Sequence, residues 1–376
     1  MDNHKKIAFL TGTRADFGKI KSLIQILQNN VQLEPHIFVT GMHMMEKYGL
    51  TLIEVQNCGF KNISTFENYT DESTMDLTLA KTIEGFSSYV KNLNPDLIIV
   101  HGDRVEAMAG AIVGSLNNIL VAHIEGGELS GTIDELIRHS VSKLSHVHFV
   151  SNKSAKKRLI QMGELPESIY KIGSPDIDIM FSDNLPDLKE VKSYYDIPFD
   201  NYAVVMFHPV TTEIDKMKAY ASNFVEALKK SQSNYVVIFP NNDLGSKFII
   251  DFYEELTNND SFKVFPSIRF EYFLTLLKSA DFIIGNSSAG IREAPYYGIP
   301  TINIGTRQEN RALHSHIINV GYGTDEILNA VNSDLTKTSV DAKSFGSGNS
   351  AELFLNSLSS KEFWELNHQK QFRDNE

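Results

Sequence analysis

The sequence predicts two α/β domains, each built on a parallel sheet, and three observations carry that prediction. Short apolar runs that end at small or polar residues alternate with longer amphipathic stretches, the order that βαβ units produce. The alternation stops at FSDNLPD (181–187) and then restarts. A chain of 376 residues also exceeds the size at which one core keeps growing, so two domains with a cleft between them are expected.

The first unit is the clearest. Residues 6–10 read as a buried strand, Thr11-Gly12-Thr13-Arg14 as its turn, and residues 16–27 as a helix with Ile20, Leu23, Ile24 and Leu27 on one face. Strands follow at 36–40, 97–101, 120–123 and 147–150. Beyond the interruption they recur at 202–208, 235–240, 262–265, 282–285 and 301–304, with helices beginning near Glu213, Ser246, Phe270 and Ala289. Apolar spacing through Phe354, Leu355, Leu358, Phe363 and Leu366 makes the tail largely helical. The expected domains are 1–182 and 183–355, with a terminal helix over 356–376.

Composition narrows the function. With 42% hydrophobic and 22% charged residues and no biased tract, the chain is an ordinary globular protein. A formal charge of −12 argues against general nucleic-acid binding, which needs a clustered basic surface. The apolar stretch at 7–10 is too short for a signal segment, and no run reaches about 18 apolar residues, so neither secretion nor membrane spanning is expected. Cys58, the only cysteine, excludes an intramolecular disulfide and multi-cysteine metal sites. A reducing cytoplasm fits best.

In open α/β sheets ligands bind beyond the carboxyl ends of the strands, so polar clusters directly after predicted strands are the candidates. They are GTRAD (12–16), HGDR (101–104), HIEGGE (123–128), FHP (207–209) and GNSSAGIRE (285–293). The last resembles an anion cradle: a Gly/Ser turn opening a helix offers N–H groups and the positive end of a dipole to a phosphate, with hydroxyls from Ser287 and Ser288. Ser288 reads equally well as a simple helix cap. Glu293, further along that helix, suits ribose hydroxyls. GTR is neither a dinucleotide fingerprint nor a Walker loop, and Arg14 is either a phosphate ligand or an ion-pair partner. Asp103, Glu125, Glu128 and Asp134 bring carboxylates into neighbouring segments, where like charges split pKa values and supply both an acid and a base; Glu128 and Asp134 serve equally as solvated or capping residues. The histidines among the twelve that lie near carboxylates have strand spacing rather than a zinc-helix pattern, and no Asp-x-Asp diphosphate motif stands at a strand end, so no metal and no cofactor are expected.

Taken together, GTRADFGK (12–19), VTGMHM (39–44), HGDR (101–104), HIEGGELSGTIDELIRHSVSKLSH (123–146), GSPDID (173–178), MFHPVTTE (206–213), FPNNDLGS (239–246) and GNSSAGIREAPYYGIPTINIGTRQ (285–308) resemble the UDP-N-acetylglucosamine 2-epimerase family, in particular its hydrolysing branch, which feeds synthesis of sialic acid and related nonulosonic acids. The resemblance spans nearly the whole chain. It implies a glycosyltransferase-B-like fold of two Rossmann-like domains, the nucleotide sugar in the interdomain cleft, and the terminal helix packing back on the first domain. By the same resemblance His208, Asn241, Ile268, Ser287, Ser288, Glu293 and Arg307 match the nucleotide-holding positions, Arg14 and Arg104 reach the diphosphate, and Asp103, Glu125 and Asp134 work on the sugar. Lys19, His43 and Arg138 complete the expected substrate set. His43 and Met44, with Thr211 and Thr212, are the residues expected on the far side of the sugar, or are simply packing.

The implied reaction converts UDP-N-acetylglucosamine and water to N-acetylmannosamine and UDP, through anti elimination to 2-acetamidoglucal and hydration. Glu125 or Asp103 removes the carbon 2 proton, and Asp134 activates or orients water. UDP-2,4-diacetamido-2,4,6-trideoxyglucose is the alternative substrate. A glycosyltransferase and a silent nucleotide-sugar sensor are the rivals from other classes, and a homodimer or homotetramer is the expected assembly.

Overall fold

The computed structural model describes residues 4–69, 74–309, 311, 316–337 and 345–374. The chain divides into two compact units. The first comprises Met1–Glu128, Asp134–Ser182 and Ser344–Glu376; the second comprises Leu129–Ile133 and Asp183–Lys343.

The first unit holds β1 (Lys5–Thr11), β2 (Leu33–Val39), β3 (Ile63–Thr65), β4 (Leu97–His101), β5 (Leu120–Ile124), β6 (Val147–Val150) and β7 (Ile169–Lys171). They form a seven-stranded sheet in the order β3-β2-β1-β4-β5-β6-β7, parallel throughout. The central strands β4, β5 and β6 are buried along their whole length, as continuous apolar runs covered on both faces must be. Helix Arg14–Gln28 follows β1 and opens with a capping box, in which the Thr13 hydroxyl accepts from the Asp16 N–H and Asp16 reaches back to the Thr13 N–H.

The second unit holds β8 (Ala203–Met206), β9 (Tyr235–Ile238), β10 (Phe262–Phe265), β11 (Ile283–Gly285), β12 (Thr301–Ile304) and β13 (Ile317–Val320), in the order β10-β9-β8-β11-β12-β13. All pairings are parallel here too. The doubly wound α/β class expected from the sequence is therefore the class observed. Each sheet has its switch point where sequence order reverses, between β1 and β4 in one and between β8 and β11 in the other. These are the positions where open sheets leave a crevice for ligands.

The tail joins the first unit earlier than residue 356. Helix Ser350–Leu358 is already part of it, with Phe354 and Leu358 in the same core as Phe9 and Phe149. Asp178 caps that helix, accepting from the Ser350 N–H at 2.8 Å and the Ala351 N–H at 2.7 Å. This cap is the role of Asp178 in the Asp176-Ile177-Asp178 segment. Further on, the Lys370 ammonium donates to the carbonyls of Lys143 (2.9 Å) and Ser145 (2.7 Å), at the C-terminal end of helix Ile133–Leu144, and to Glu164 (2.6 Å). Cations at that end oppose the helix dipole favourably. The His146 Nε2–H donates to the His368 carbonyl at 2.9 Å.

Glu164 is 2% exposed and also takes Lys143 (2.8 Å) and His148 Nε2 (2.9 Å). Burial pushes its pKa up, but the His148 hydrogen bond and the Lys370 and Lys143 charges outweigh that and hold it at about 2. Burial keeps His148 neutral. Because the folded pKa lies below the ordinary 4.5, Glu164 stabilises the fold fully above that value and loses its contribution as pH falls towards 2. Glu164→Gln is expected to cost about 3 kcal/mol at pH 7, the contribution of a carboxylate held well below its ordinary pKa. It should also flatten the acid limb of a melting-temperature profile between pH 5 and 3; a variant with an unchanged acid limb would contradict this assignment.

Among the described residues no helix is long and apolar enough to cross a membrane. No group of three His, Cys, Asp or Glu side chains among them is arranged to hold a metal ion.

Candidate active site

At the switch point of the first sheet, β1, β4 and β5 end side by side and deliver three charged clusters. Glu125 follows β5 and is 5% exposed. Its Oε1 receives the Lys19 ammonium at 3.2 Å and lies 3.3 Å from His101 Nε2, with both partners nearly as buried. Glu125 sits at φ +69°, a left-handed conformation that costs a non-glycine residue about 1–3 kcal/mol and collects at functional sites. The flanking Glu125 N–H bonds the Phe149 carbonyl of β6, which fixes the turn.

Asp103 follows β4 and is paired with Arg138, a guanidinium only 1% exposed on helix Ile133–Leu144. Between the two clusters stands His123, fully buried. Its Nε2–H donates to the Gly102 carbonyl at 2.7 Å and its Nδ1 contacts the Ser142 hydroxyl at 3.0 Å. Burial lowers its pKa to about 3, so this ring is a neutral brace between the β4 and β5 ends. Asp134 lies in the first turn of the same helix as Arg138, partly exposed. Glu128 is 5% exposed and accepts from the Ser151 hydroxyl at 2.7 Å, so it is a satisfied buried acceptor rather than a solvated one. Arg104 contacts Glu106 at 3.3 Å, and Arg14 is paired with Glu54.

In the second unit β8 and β11 deliver a different set. The Asn286 side chain clamps the backbone of His208, accepting from its N–H at 2.6 Å and donating to its carbonyl at 2.9 Å. His208 Nδ1 accepts from the Asn241 N–H at 3.1 Å. The neutral ring therefore carries its proton on Nε2, as a hydrogen-bond donor. The Asn286 carbonyl receives Arg307 Nη1 (3.2 Å) and Gln308 Nε2 (2.9 Å), which brings the GTRQ turn to the same place. Arg307 in turn accepts, through its carbonyl, from the Gly131 N–H at 3.2 Å.

The segment Leu129–Ile133 thus belongs to the second unit although it lies between β5 and the helix carrying Arg138.

A family model for UDP-N-acetylglucosamine 2-epimerase matches residues 25–359. The chain belongs to the UDP-N-acetylglucosamine 2-epimerase family. It is 48% identical to the UDP-N-acetylglucosamine 2-epimerase of Neisseria meningitidis serogroup B, over 98% of this chain and 99% of that one. It is 31% identical to UDP-N,N'-diacetylbacillosamine 2-epimerase (hydrolyzing) of Legionella pneumophila, over 93% and 94% respectively. Polysialic acid biosynthesis protein P7 of Escherichia coli matches at 33% over 87% and 85%. Among solved structures, the Methanocaldococcus jannaschii UDP-GlcNAc 2-epimerase in complex with UDP-GlcNAc and UDP superposes with a TM-score of 0.80 at 23% identity, covering 94% of this chain and 99% of that one. At that identity the likeness shows the fold alone.

Within this epimerase framework several expected substrate ligands have other employment. His43 is fully buried, with Nε2 against the Thr11 hydroxyl (3.1 Å) and Nδ1 against the Thr51 hydroxyl (2.7 Å). Burial lowers its pKa to about 4, so the ring is a neutral brace between Thr11 and Thr51. Lys19 and Arg138, expected on the substrate, pair with Glu125 and Asp103. Helix Ala289–Arg292 is four residues long before Pro295 and Gly298 take the chain into a 3₁₀ turn. So short a helix carries little dipole, and Ser288 makes no side-chain cap bond; it is Ser287 Oγ that accepts from the Ala289 N–H, at 3.3 Å. What remains of the cradle is the pair of half-buried hydroxyls and the backbone N–H groups of Ser287 and Ser288. Glu293 is 3% exposed and Ile268 4%, so both line the interior of the unit.

Proposed function

We propose that the protein is a hydrolysing UDP-N-acetylglucosamine 2-epimerase of the cytoplasm, working as a homodimer or homotetramer without metal or cofactor. The observation that carries this reading is the buried Lys19–Glu125–His101 cluster at the end of β5. A buried carboxylate held in left-handed backbone beside a lysine ammonium and a histidine is oriented and shielded from water, as proton removal from carbon requires.

A proton on carbon 2 of a saturated sugar is barely acidic. Departure of UDP makes carbon 1 oxocarbenium-like, and the neighbouring proton then becomes removable. In this reading the second unit holds the nucleotide, with His208 Nε2–H, Arg307 and the Ser287–Ser288 turn donating to the departing diphosphate, each well-placed donor contributing a few kcal/mol. By the family resemblance Arg14 and Arg104 are diphosphate ligands, Arg14 after exchanging Glu54 for phosphate. Glu125 takes the carbon 2 proton as the C1–O bond breaks, giving 2-acetamidoglucal and UDP. Asp134 orients the water whose hydroxyl adds to carbon 1, that water's proton passes through Asp103, held by Arg138, to the opposite face of carbon 2, and Glu125 releases the proton it took to solvent. Atoms balance as one water consumed per free N-acetylmannosamine released.

UDP-2,4-diacetamido-2,4,6-trideoxyglucose is the second reading for the substrate, favoured by the 31% relative from Legionella; the 48% relative favours the first. An NMR time course with UDP-N-acetylglucosamine in deuterated water separates the possibilities. Free UDP and N-acetylmannosamine carrying deuterium at carbon 2 are expected. No turnover, with turnover of the diacetamido sugar, would transfer the assignment to the second substrate, and a UDP-sugar product without free UDP would refute hydrolysis.

A further inference from the structure

Glu106 lies in the first turn of helix Val105–Leu116. An acidic residue there ordinarily faces water and offsets the helix dipole. Here the side chain turns inward and is 1% exposed. Its Oε2 accepts from Arg104 Nε at 3.3 Å, and its Oε1 has no hydrogen-bond partner among the described residues. A buried carboxylate with a single long charged contact is costly, and turning to solvent would relieve it. The inward pose therefore answers to something other than local stability.

Two glycines from separate segments make room for it. A Cβ at Gly12 would stand 2.9 Å from Glu106 Cγ and Cδ, and one at Gly41 would stand 2.5 Å from the Gly12 carbonyl oxygen and 2.7 Å from Oε1. Gly41 also sits at φ +63°, so a side chain there would be strained as well as crowded. The turn after β1, the turn after β2 and the helix after β4 thus close on one carboxylate, whose one bonded partner is Arg104, the residue capping the helix. Anchoring Nε fixes the plane of a guanidinium and hence the direction its Nη edge faces, which matters when that edge must meet a phosphate.

We infer that Glu106 is a positioning residue that holds Arg104 in the orientation that meets the diphosphate of the nucleotide sugar, and that Gly12 and Gly41 are glycine in order to house it. This rests on the reading of Arg104 given under Proposed function.

The test is a double-mutant cycle read as UDP affinity by calorimetry, with melting temperatures as a check on folding. Arg104→Ala is expected to weaken UDP binding about 30-fold, and Glu106→Gln about fivefold to tenfold, the scale of one charge-assisted contact. In the Arg104→Ala background Glu106→Gln should add less than about twofold. Glu106→Asp, which keeps the charge but withdraws it from Nε, should lose as much as glutamine and serves if the glutamine variant does not fold. If Arg104→Ala leaves UDP affinity unchanged, Arg104 does not meet the diphosphate and the underlying reading fails at that residue. If Arg104→Ala weakens binding but the Glu106 change is silent, or costs its full amount on top, the positioning role is overturned while the reading of Arg104 stands.

Discussion

Glu125→Gln is expected to cut turnover of the nucleotide sugar about 1,000-fold while UDP affinity stays within about threefold, because the amide is isosteric but cannot accept the carbon 2 proton. The same change should lower stability by about 3 kcal/mol, since the Lys19 ammonium is left buried without its counter-charge. Those two losses have different causes and can be separated. Adding Lys19→Met removes the stranded charge, so the double variant should recover most of the melting temperature and none of the turnover. A glutamine variant retaining a tenth of wild-type activity would remove Glu125 from the proton-transfer role and leave Asp103 as the base.

Why Glu125 stands out in the structure but not in the sequence is a matter of backbone. As one of two carboxylates in HIEGGE it is not set apart from Glu128 by residue type or spacing, and only the family resemblance singles it out. The structure separates them: Glu128 accepts from the Ser151 hydroxyl, whereas Glu125 takes Lys19 from the helix after β1 and faces His101 at the end of β4. Such convergence depends on which strands are neighbours, and strand order is a tertiary property.

The central strands were legible for the opposite reason. Strands buried on both faces must be continuous apolar runs, and β4, β6 and β12 coincide with the runs at 97–101, 147–150 and 301–304. The three strands that pattern alone does not reveal, β3, β7 and β13, all lie at sheet edges. Each is three or four residues long and mostly half-exposed, so no apolar run marks it. Polar clusters after the strands were legible because the crevice of an open sheet lies there by topology. What each polar side chain does was less so. His43 follows a strand, as a ligand-binding residue would, yet points into the core. Glu106 has the sequence position of a dipole-compensating surface acid and the surroundings of a core residue. The helix expected from Ala289 begins there but is cut to four residues, because Pro295 and the left-handed Gly298 outweigh the apolar spacing downstream.

Gly285→Ala is expected to destabilise the second unit by about 4 kcal/mol and to weaken UDP binding at least about 100-fold, an effect far beyond that of an ordinary glycine replacement. Gly285 ends β11 at φ +135°, a conformation open only to glycine. A Cβ there would lie 2.0 Å from the Met206 carbonyl oxygen and 2.5 Å from its carbon, on the adjacent strand β8. The Asn286 N–H bonds that same Met206 oxygen at 3.0 Å, so a methyl group can be admitted only by separating β8 from β11 where both strands end. That separation withdraws Asn286 from the His208 backbone, and with Asn286 goes the carbonyl that receives Arg307 and Gln308. One backbone contact between two strands thereby sets the position of every second-unit group assigned to the diphosphate. Asn286→Ala is the discriminating comparison: it leaves the strand contact intact and removes only the side-chain clamp on His208. It should weaken UDP binding substantially while costing less stability than Gly285→Ala. Denaturant unfolding and UDP calorimetry on both variants decide the matter, and a Gly285→Ala protein that melts with the wild type and binds UDP normally would show that the β8–β11 contact does not govern the site.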